Sequence, residues 1–146
     1  MKILLTGFEP FGVYPINPSQ LLIQALPDQY LGMTLLKQIL PVHHQQGPQQ
    51  MLALFRSHQP DAVIAFGLAS GRAQISLERV ALNLLDFTIA DNAGVVVENQ
   101  PIVPGGPTAY FSTLPLLGMH AALKAEGISV ELSLSAGAYL CNQGFY

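Results

Sequence analysis

The sequence predicts an α/β fold, a three-layer α/β/α sandwich around a mostly parallel, mixed central sheet. Apolar runs of strand length stop at Gly or Pro, as in KILLT and DAVIAFG, and read as buried strands. Segments with helical spacing, such as SQLLIQAL and QQMLALFRSH, lie between them. Because the two types alternate along the chain, helices should cover both faces of the sheet.

KILLT is the first strand, and GFEPFGVYPINP after it is a loop of glycines, prolines and aromatics. Asn17-Pro18 starts a helix, with Asn at the cap and Pro at the first helical position. SQLLIQAL continues it to Pro27, TLLKQIL is a strand ended by Pro41, and QQMLALFRSH is a helix. DAVIAFG is a strand running into the turn LASGR. ISLERVALNLLDF is β-branched and alternating, hence extended. NQPIVPGGPTAY reads as a long loop and STLPLLGMHAALKAEG as a helix closed by Gly127. SVELSLS is a strand, and AGAYLC turns towards a final helix.

No repeat or linker divides residues 1–146, so a single domain is expected. Half of the residues are hydrophobic and 10% are charged, against about 25% charged in ordinary soluble domains. Part of the surface is therefore expected to be buried against another subunit or further chain. The net charge of −3, with six Lys and Arg spread along the sequence, leaves no basic patch and excludes nucleic acid as a partner. One cysteine cannot make an intrachain disulfide. Ile3-Leu4-Leu5 is too short for a signal-peptide core, and no apolar stretch approaches the roughly 18 residues of a membrane span. A cytoplasmic protein without a membrane partner is the expectation.

Ligands of α/β sheets bind at loops beyond the carboxyl ends of strands. TGFEPFG, FGLASGR and SAGAYLC are such loops. The third holds Cys141, which is either a small core residue or a nucleophile. At a strand-to-helix turn, backbone N–H groups and the helix dipole lower a thiol pKa and can cradle an oxyanion. Glu78 shares strand parity with Val80, Leu82 and Leu84, so its carboxylate faces an apolar row. It needs a partner, a bulge in the register or a solvated strand end; Arg72 and Arg79 are the candidate cations. Phe8 and Phe11 either plug the edge of the core or wall a small flat ligand. Asn17 is explained as a helix cap. His43 and His44 point apart if they lie in a strand, and no Cys or acid cluster accompanies them, so no metal site is expected. His58 and His120 read as residues of helix surfaces or ends, and PGGP lacks the Lys and Ser/Thr of a phosphate loop.

TGFEPFG, NPS, ISLERVALN, ADN, NQPIV…GGPTAYFSTLP and SAGAYLCN, in this order, resemble the pyroglutamyl peptidase I (pyrrolidone-carboxylate peptidase) family along the whole chain. The resemblance implies a cytoplasmic, often oligomeric cysteine peptidase of α/β/α architecture, with no metal or organic cofactor, that removes N-terminal pyroglutamate from peptides. Carried across by motif, Cys141 is the nucleophile and Glu78 the acid of a Cys-His-Glu triad. Phe8 and Phe11 sandwich the lactam ring, and Asn17 hydrogen-bonds its carbonyl.

The same comparison of motifs marks departures. The family histidine lies on a strand after the cysteine, beyond Tyr146, and none of His43, His44, His58 or His120 falls in its motif. The fold is thus expected to lack its C-terminal elements here, and residues 1–146 alone to turn over little substrate. Leu68 stands where the family has Gln, which matters if an amide rather than the backbone binds substrate. Thr88 replaces an Arg near the oxyanion, a loss of about 10²–10³ in rate if that Arg acts like other oxyanion donors. Gln143 replaces His in the motif after Cys. The alternative is an impaired homologue that binds a small ligand or a protein partner without turnover.

Overall fold

A computed structural model of residues 1–146 contains seven strands and four helices. In chain order these are β1 (Lys2–Phe8), α1 (Pro18–Ala25), β2 (Gln29–Tyr30), β3 (Met33–Leu40), α2 (Gln46–His58), β4 (Ala62–Ala65), β5 (Ile75–Leu82), β6 (Ala109–Phe111), α3 (Leu116–Ala125), β7 (Val130–Ser135) and α4 (Leu140–Phe145). The strands form two ladders, ordered β2-β3-β1-β4 and β6-β5-β7. Each is mixed: β1 runs parallel to β3 and β4, and β5 parallel to β7, while the short strands β2 and β6 add antiparallel edges. The α/β class read from the sequence therefore holds.

Local sequence explains the first unit. In β1 every residue from Leu4 to Phe8 is buried, as a strand flanked on both edges and covered on both faces requires. Its parity separates two cores. Leu5 packs with Ile23 of α1 and Leu35, while Phe8 packs with Leu40, Val42, Leu85, Phe87 and Leu140. α1 thus covers one face, and α4, which touches α2, lies on the other. Gly7 makes the first contact possible: a Cβ there would lie 2.6 Å from the Ser19 carbonyl oxygen of α1.

One expectation needs correction: Ala109–Phe111, whose first two residues lie in the segment read as loop, pairs with β5. Gln29–Tyr30, unassigned by the sequence pattern, forms a two-residue strand closed by the positive-φ pair Leu31-Gly32. Both are edge strands, where the partner rather than the local pattern decides pairing. ISLERVALNLLDF does stay extended after Leu82, but its pairing becomes intermittent: Leu85 bridges Gln100, and the Phe87 amide donates to the Val97 carbonyl at 2.7 Å.

The accessible surface is 8658 Å², against about 7,300 Å² for a compact domain of this length. Phe111 (73%), Leu117 (74%) and Leu134 (73%) stand largely in solvent, all on the β5–β7 side or α3. No residue of α3 is buried. No helix is long and apolar enough to cross a membrane.

Candidate active site

The ends of β1 and β4 and the turn from β7 into α4 meet around a small, shallow cleft. Phe8, Phe11, Asn17, Val42, Leu68, Tyr139, Leu140 and Cys141 line it. The structure thus gathers Cys141, both phenylalanines, Asn17 and Leu68 in one place, with seven of the eight lining residues hydrophobic.

Cys141 occupies the first turn of α4, directly after the buried Leu140. Its Sγ lies so close to Gly67 that a Cβ at that position would overlap the sulfur. The thiol is pushed up to about 11, first by burial and then by the negative charge of Glu78, against a smaller favourable contribution from its own backbone N–H. Sequence reasoning from the helix terminus expects the opposite direction. Desolvation outweighs a six-residue helix, whose first turn has no side-chain cap.

Glu78 lies outside the lining of the cleft but near enough for its charge to reach the thiol. The β5–β7 register runs unbroken from Ile75↔Val130 to Val80↔Ser135, so no bulge relieves the half-buried acid. A cation does: Arg72 Nη1 donates to Glu78 Oε1 at 2.8 Å and also reaches Ser133 Oγ at 3.4 Å. Of the two candidate cations, Arg72 is the partner. The other carboxylate oxygen, Oε2, is buried and has no hydrogen-bond partner.

Asn17 is fully buried. Its Oδ1 accepts from the Ser19 amide at 3.0 Å and the Ser19 hydroxyl at 2.8 Å, and its Nδ2 donates to the Glu9 carbonyl at 3.0 Å. The cap reading is correct, and it leaves one Nδ2 hydrogen over at the cleft wall. Glu9, between the two phenylalanines, accepts through Oε1 from the Val42 amide at 3.0 Å and Asn92 Nδ2 at 2.8 Å. This ties the Phe-bearing loop to the end of β3 and to the ADN segment.

Two residues of the site were not singled out from sequence. Tyr139 adds an aromatic wall: its ring lies 6.2 Å from Phe11 and packs edge-on against Phe87 at 4.6 Å, and its hydroxyl donates to the Ala90 carbonyl at 3.2 Å. Burial, followed by the charges of Asp91 and Cys141, raises the phenol to about 12. Asn142 is fully buried and bonded to β5, its Oδ1 accepting from the Leu82 amide and its Nδ2 donating to the Leu82 and Leu84 carbonyls. The only sequence signal for these two is their place beside the cysteine in SAGAYLCN.

His43 and His44 do not diverge as strand residues would. They lie in a turn with rings stacked at 5.3 Å and 11°, and Asp91 brings a third ligand atom to within 4.8 Å of theirs. The Asp91 oxygens and one ring nitrogen of each histidine already take part in hydrogen bonds. Asp91 Oδ2 accepts from the His44 amide and Nδ1, Oδ1 accepts from Ala93 and Val95, and His43 Nδ1 accepts from the amides that open α2. No histidine hydrogen-bonds Cys141: His44 is held by Asp91, His58 ends α2 and His120 belongs to α3. Gln143 Nε2 donates to the His44 carbonyl at 2.8 Å, and Thr88 is exposed outside the cleft lining.

A cysteine at a strand-to-helix turn, an apolar cleft and a half-buried carboxylate thus lie near one another on an α/β scaffold. The profile of the pyroglutamyl peptidase family matches residues 1–146. The chain is 44% identical to the pyrrolidone-carboxylate peptidase of Thermococcus onnurineus (strain NA1), covering 100% of this chain and 73% of that relative. It is 46% identical to the Vibrio vulnificus (strain CMCP6) enzyme of the same name, covering 99% of this chain and 69% of that one. The crystal structure of the Thermus thermophilus pyrrolidone carboxyl peptidase superposes with a TM-score of 0.95 at 48% identity, covering 99% of this chain and 74% of the other. The chain belongs to the pyroglutamyl peptidase family, and so to the peptidases among the hydrolases.

Proposed function

We propose that this protein removes N-terminal pyroglutamate from peptides by acyl transfer through Cys141. The observation that carries the reading is the convergence of Cys141 with Phe8, Phe11, Asn17 and Leu68 on one small apolar cleft. A lactam ring has two flat apolar faces suited to aromatic walls and a polar edge suited to the spare Nδ2 hydrogen of Asn17. A charged amino terminus would be left unpaired there, which gives the selectivity a physical basis.

In the reaction, an imidazole takes the thiol proton and Sγ attacks the pyroglutamyl carbonyl carbon. The oxyanion is held by the Cys141 backbone N–H. The C–N bond then breaks as the imidazolium protonates the leaving amine, and water hydrolyses the thioester to pyroglutamate and free thiol. Glu78 orients the imidazole through its unpartnered Oε2. The histidine comes from outside residues 1–146. A thiol near 11 is nearly all protonated at neutral pH, so the base is indispensable. A homo-oligomer in the cytoplasm belongs to the same proposal, supported by the low charge content and the exposed Phe111, Leu117 and Leu134.

The test is release of a chromogenic amine from a pyroglutamyl amide. It compares residues 1–146 with the same residues joined to the remaining quarter of the Thermus thermophilus relative. Turnover by the joined protein, abolished in Cys141→Ala, is expected. A joined protein that folds, binds a pyroglutamyl peptide in calorimetry and releases no amine would sink the reading. That result would favour a binding protein without turnover, with which the protonated thiol also agrees.

A further inference from the structure

The loop from Gly67 to Arg72 links the thiol to the carboxylate. Gly67 lies against the Cys141 sulfur and Leu68 lines the cleft. Ser70 Oγ and the Tyr14 hydroxyl share a hydrogen bond of 2.5 Å that ties this loop to the one bearing Phe11. Gly71 turns the chain at φ 82, and the Arg72 amide donates back to the Ala69 carbonyl at 3.3 Å, which sends the Arg72 side chain to Glu78. Among the six Lys and Arg residues, Arg72 alone contacts an acid of the site; Arg79, next to Glu78, has the opposite strand parity and is exposed.

From these contacts we infer that Arg72 is a positioning residue for the peptidase reaction: it grips Glu78 by Oε1, balances its charge beside Cys141 and leaves Oε2 as the one free acceptor for the imidazole. The inference rests on the function proposed above. A bare carboxylate beside a thiol opposes thiolate formation, and a guanidinium bonded to that carboxylate cancels much of its field. Fixing one oxygen also fixes where the second can accept, so orientation and charge balance come from a single ion pair. The titratable groups that act on the thiol are Glu78 from β5 and Tyr139 from the segment before α4, and Arg72 reaches it through Glu78. β1 contributes Phe8, which does not titrate.

The experiment measures the rate of Cys141 alkylation by iodoacetamide between about pH 8 and 11.5 in residues 1–146. Wild type is compared with Arg72→Met, Arg72→Gln, Arg72→Lys and Glu78→Gln, with circular dichroism as the check on folding. Removing the cation should slow alkylation at pH 9 by about tenfold, a rise of about one unit in the thiol titration. Lys should restore most of the rate, and Glu78→Gln should exceed wild type. The sign separates this from a structural role, because loosening the loop would expose the thiol and speed alkylation. Folded Arg72→Met or Arg72→Gln protein that alkylates as fast as wild type, or faster, overturns the inference; if Arg72→Met does not fold, Arg72→Gln decides. Slowed alkylation without amine release by any joined protein would refute the proposed reaction while supporting the charge coupling.

Discussion

Both ends of the Asn142 side-chain amide are bonded to Leu82: Oδ1 accepts from its N–H at 2.8 Å, and Nδ2 donates to its C=O at 2.8 Å. The amide acts on β5 as a neighbouring strand would, and a further bond to the Leu84 carbonyl at 3.0 Å fills its remaining donor. The residue after the candidate nucleophile is thereby fastened to the strand that carries Glu78. A six-residue helix has little stability of its own, so this bond set and the buried Leu140 fix where the sulfur sits.

Replacing Asn142 with Ala should cost about 3 kcal/mol in urea unfolding, because buried backbone groups at Leu82 and Leu84 lose their partners. Asn142→Asp should cost at least as much, since a buried carboxylate would face those two carbonyl oxygens. Wild-type stability in the Asp variant would contradict the clamp.

Gly67 is the second steric constraint on the thiol. Gly67→Ala places a methyl group where the sulfur lies, so either the loop or α4 must shift, at a cost of about 1–3 kcal/mol. A pyroglutamyl peptide should also bind more weakly in calorimetry, since Leu68 and Cys141 line the same cleft. Unchanged stability together with unchanged binding would mean that the contact is slack.

What the sequence disclosed follows from how local each signal is. The Asn17-Pro18 boundary rests on neighbouring residues and appears where local rules put it, whereas β1 runs on to Phe8 past the Gly7 that ends the apolar run, and α3 starts at Leu116 and not at Ser112. The meeting of Phe8, Phe11 and Cys141 was legible because strand ends converge in α/β sheets. The Asn142 clamp was not, since its partner lies 60 positions away. Strand parity turned Glu78 inward, but parity does not tell how far a loop arginine reaches, so Arg72 and Arg79 stayed equal alternatives. The direction of the thiol shift was misjudged because a helix end is visible in sequence and the depth of burial is not.

Asn17 serves the helix through its oxygen and faces the cleft through its nitrogen, so the two roles can be separated. Asn17→Asp keeps an acceptor for the Ser19 amide at the start of α1 but loses both Nδ2 donors and sets a buried carboxylate oxygen against the Glu9 carbonyl. Its folding is therefore checked by urea unfolding before binding is compared. Calorimetry should show a pyroglutamyl peptide binding about tenfold or more weakly. Asn17→Ala should lose about 1–2 kcal/mol of stability in addition. Equal affinity in wild type and Asn17→Asp would remove Asn17 from the binding edge.

The pH dependence of stability should carry the mark of Asp91. Burial opposes its charge, but the His44 amide and ring and the amides of Val95 and Ala93 overcome that and lower its pKa from 3.8 to about 2. A carboxylate depressed on folding stabilises fully above its unfolded value, and the contribution fades as pH falls through the folded one. Asp91→Asn should therefore be less stable than wild type by about 2 kcal/mol at pH 6, since nearly two pKa units are involved. The gap should narrow steadily from pH 4 and close near pH 2, in urea titrations run side by side. A gap that stays constant down to pH 2 would show that the loss comes from packing around His44 and not from the charge.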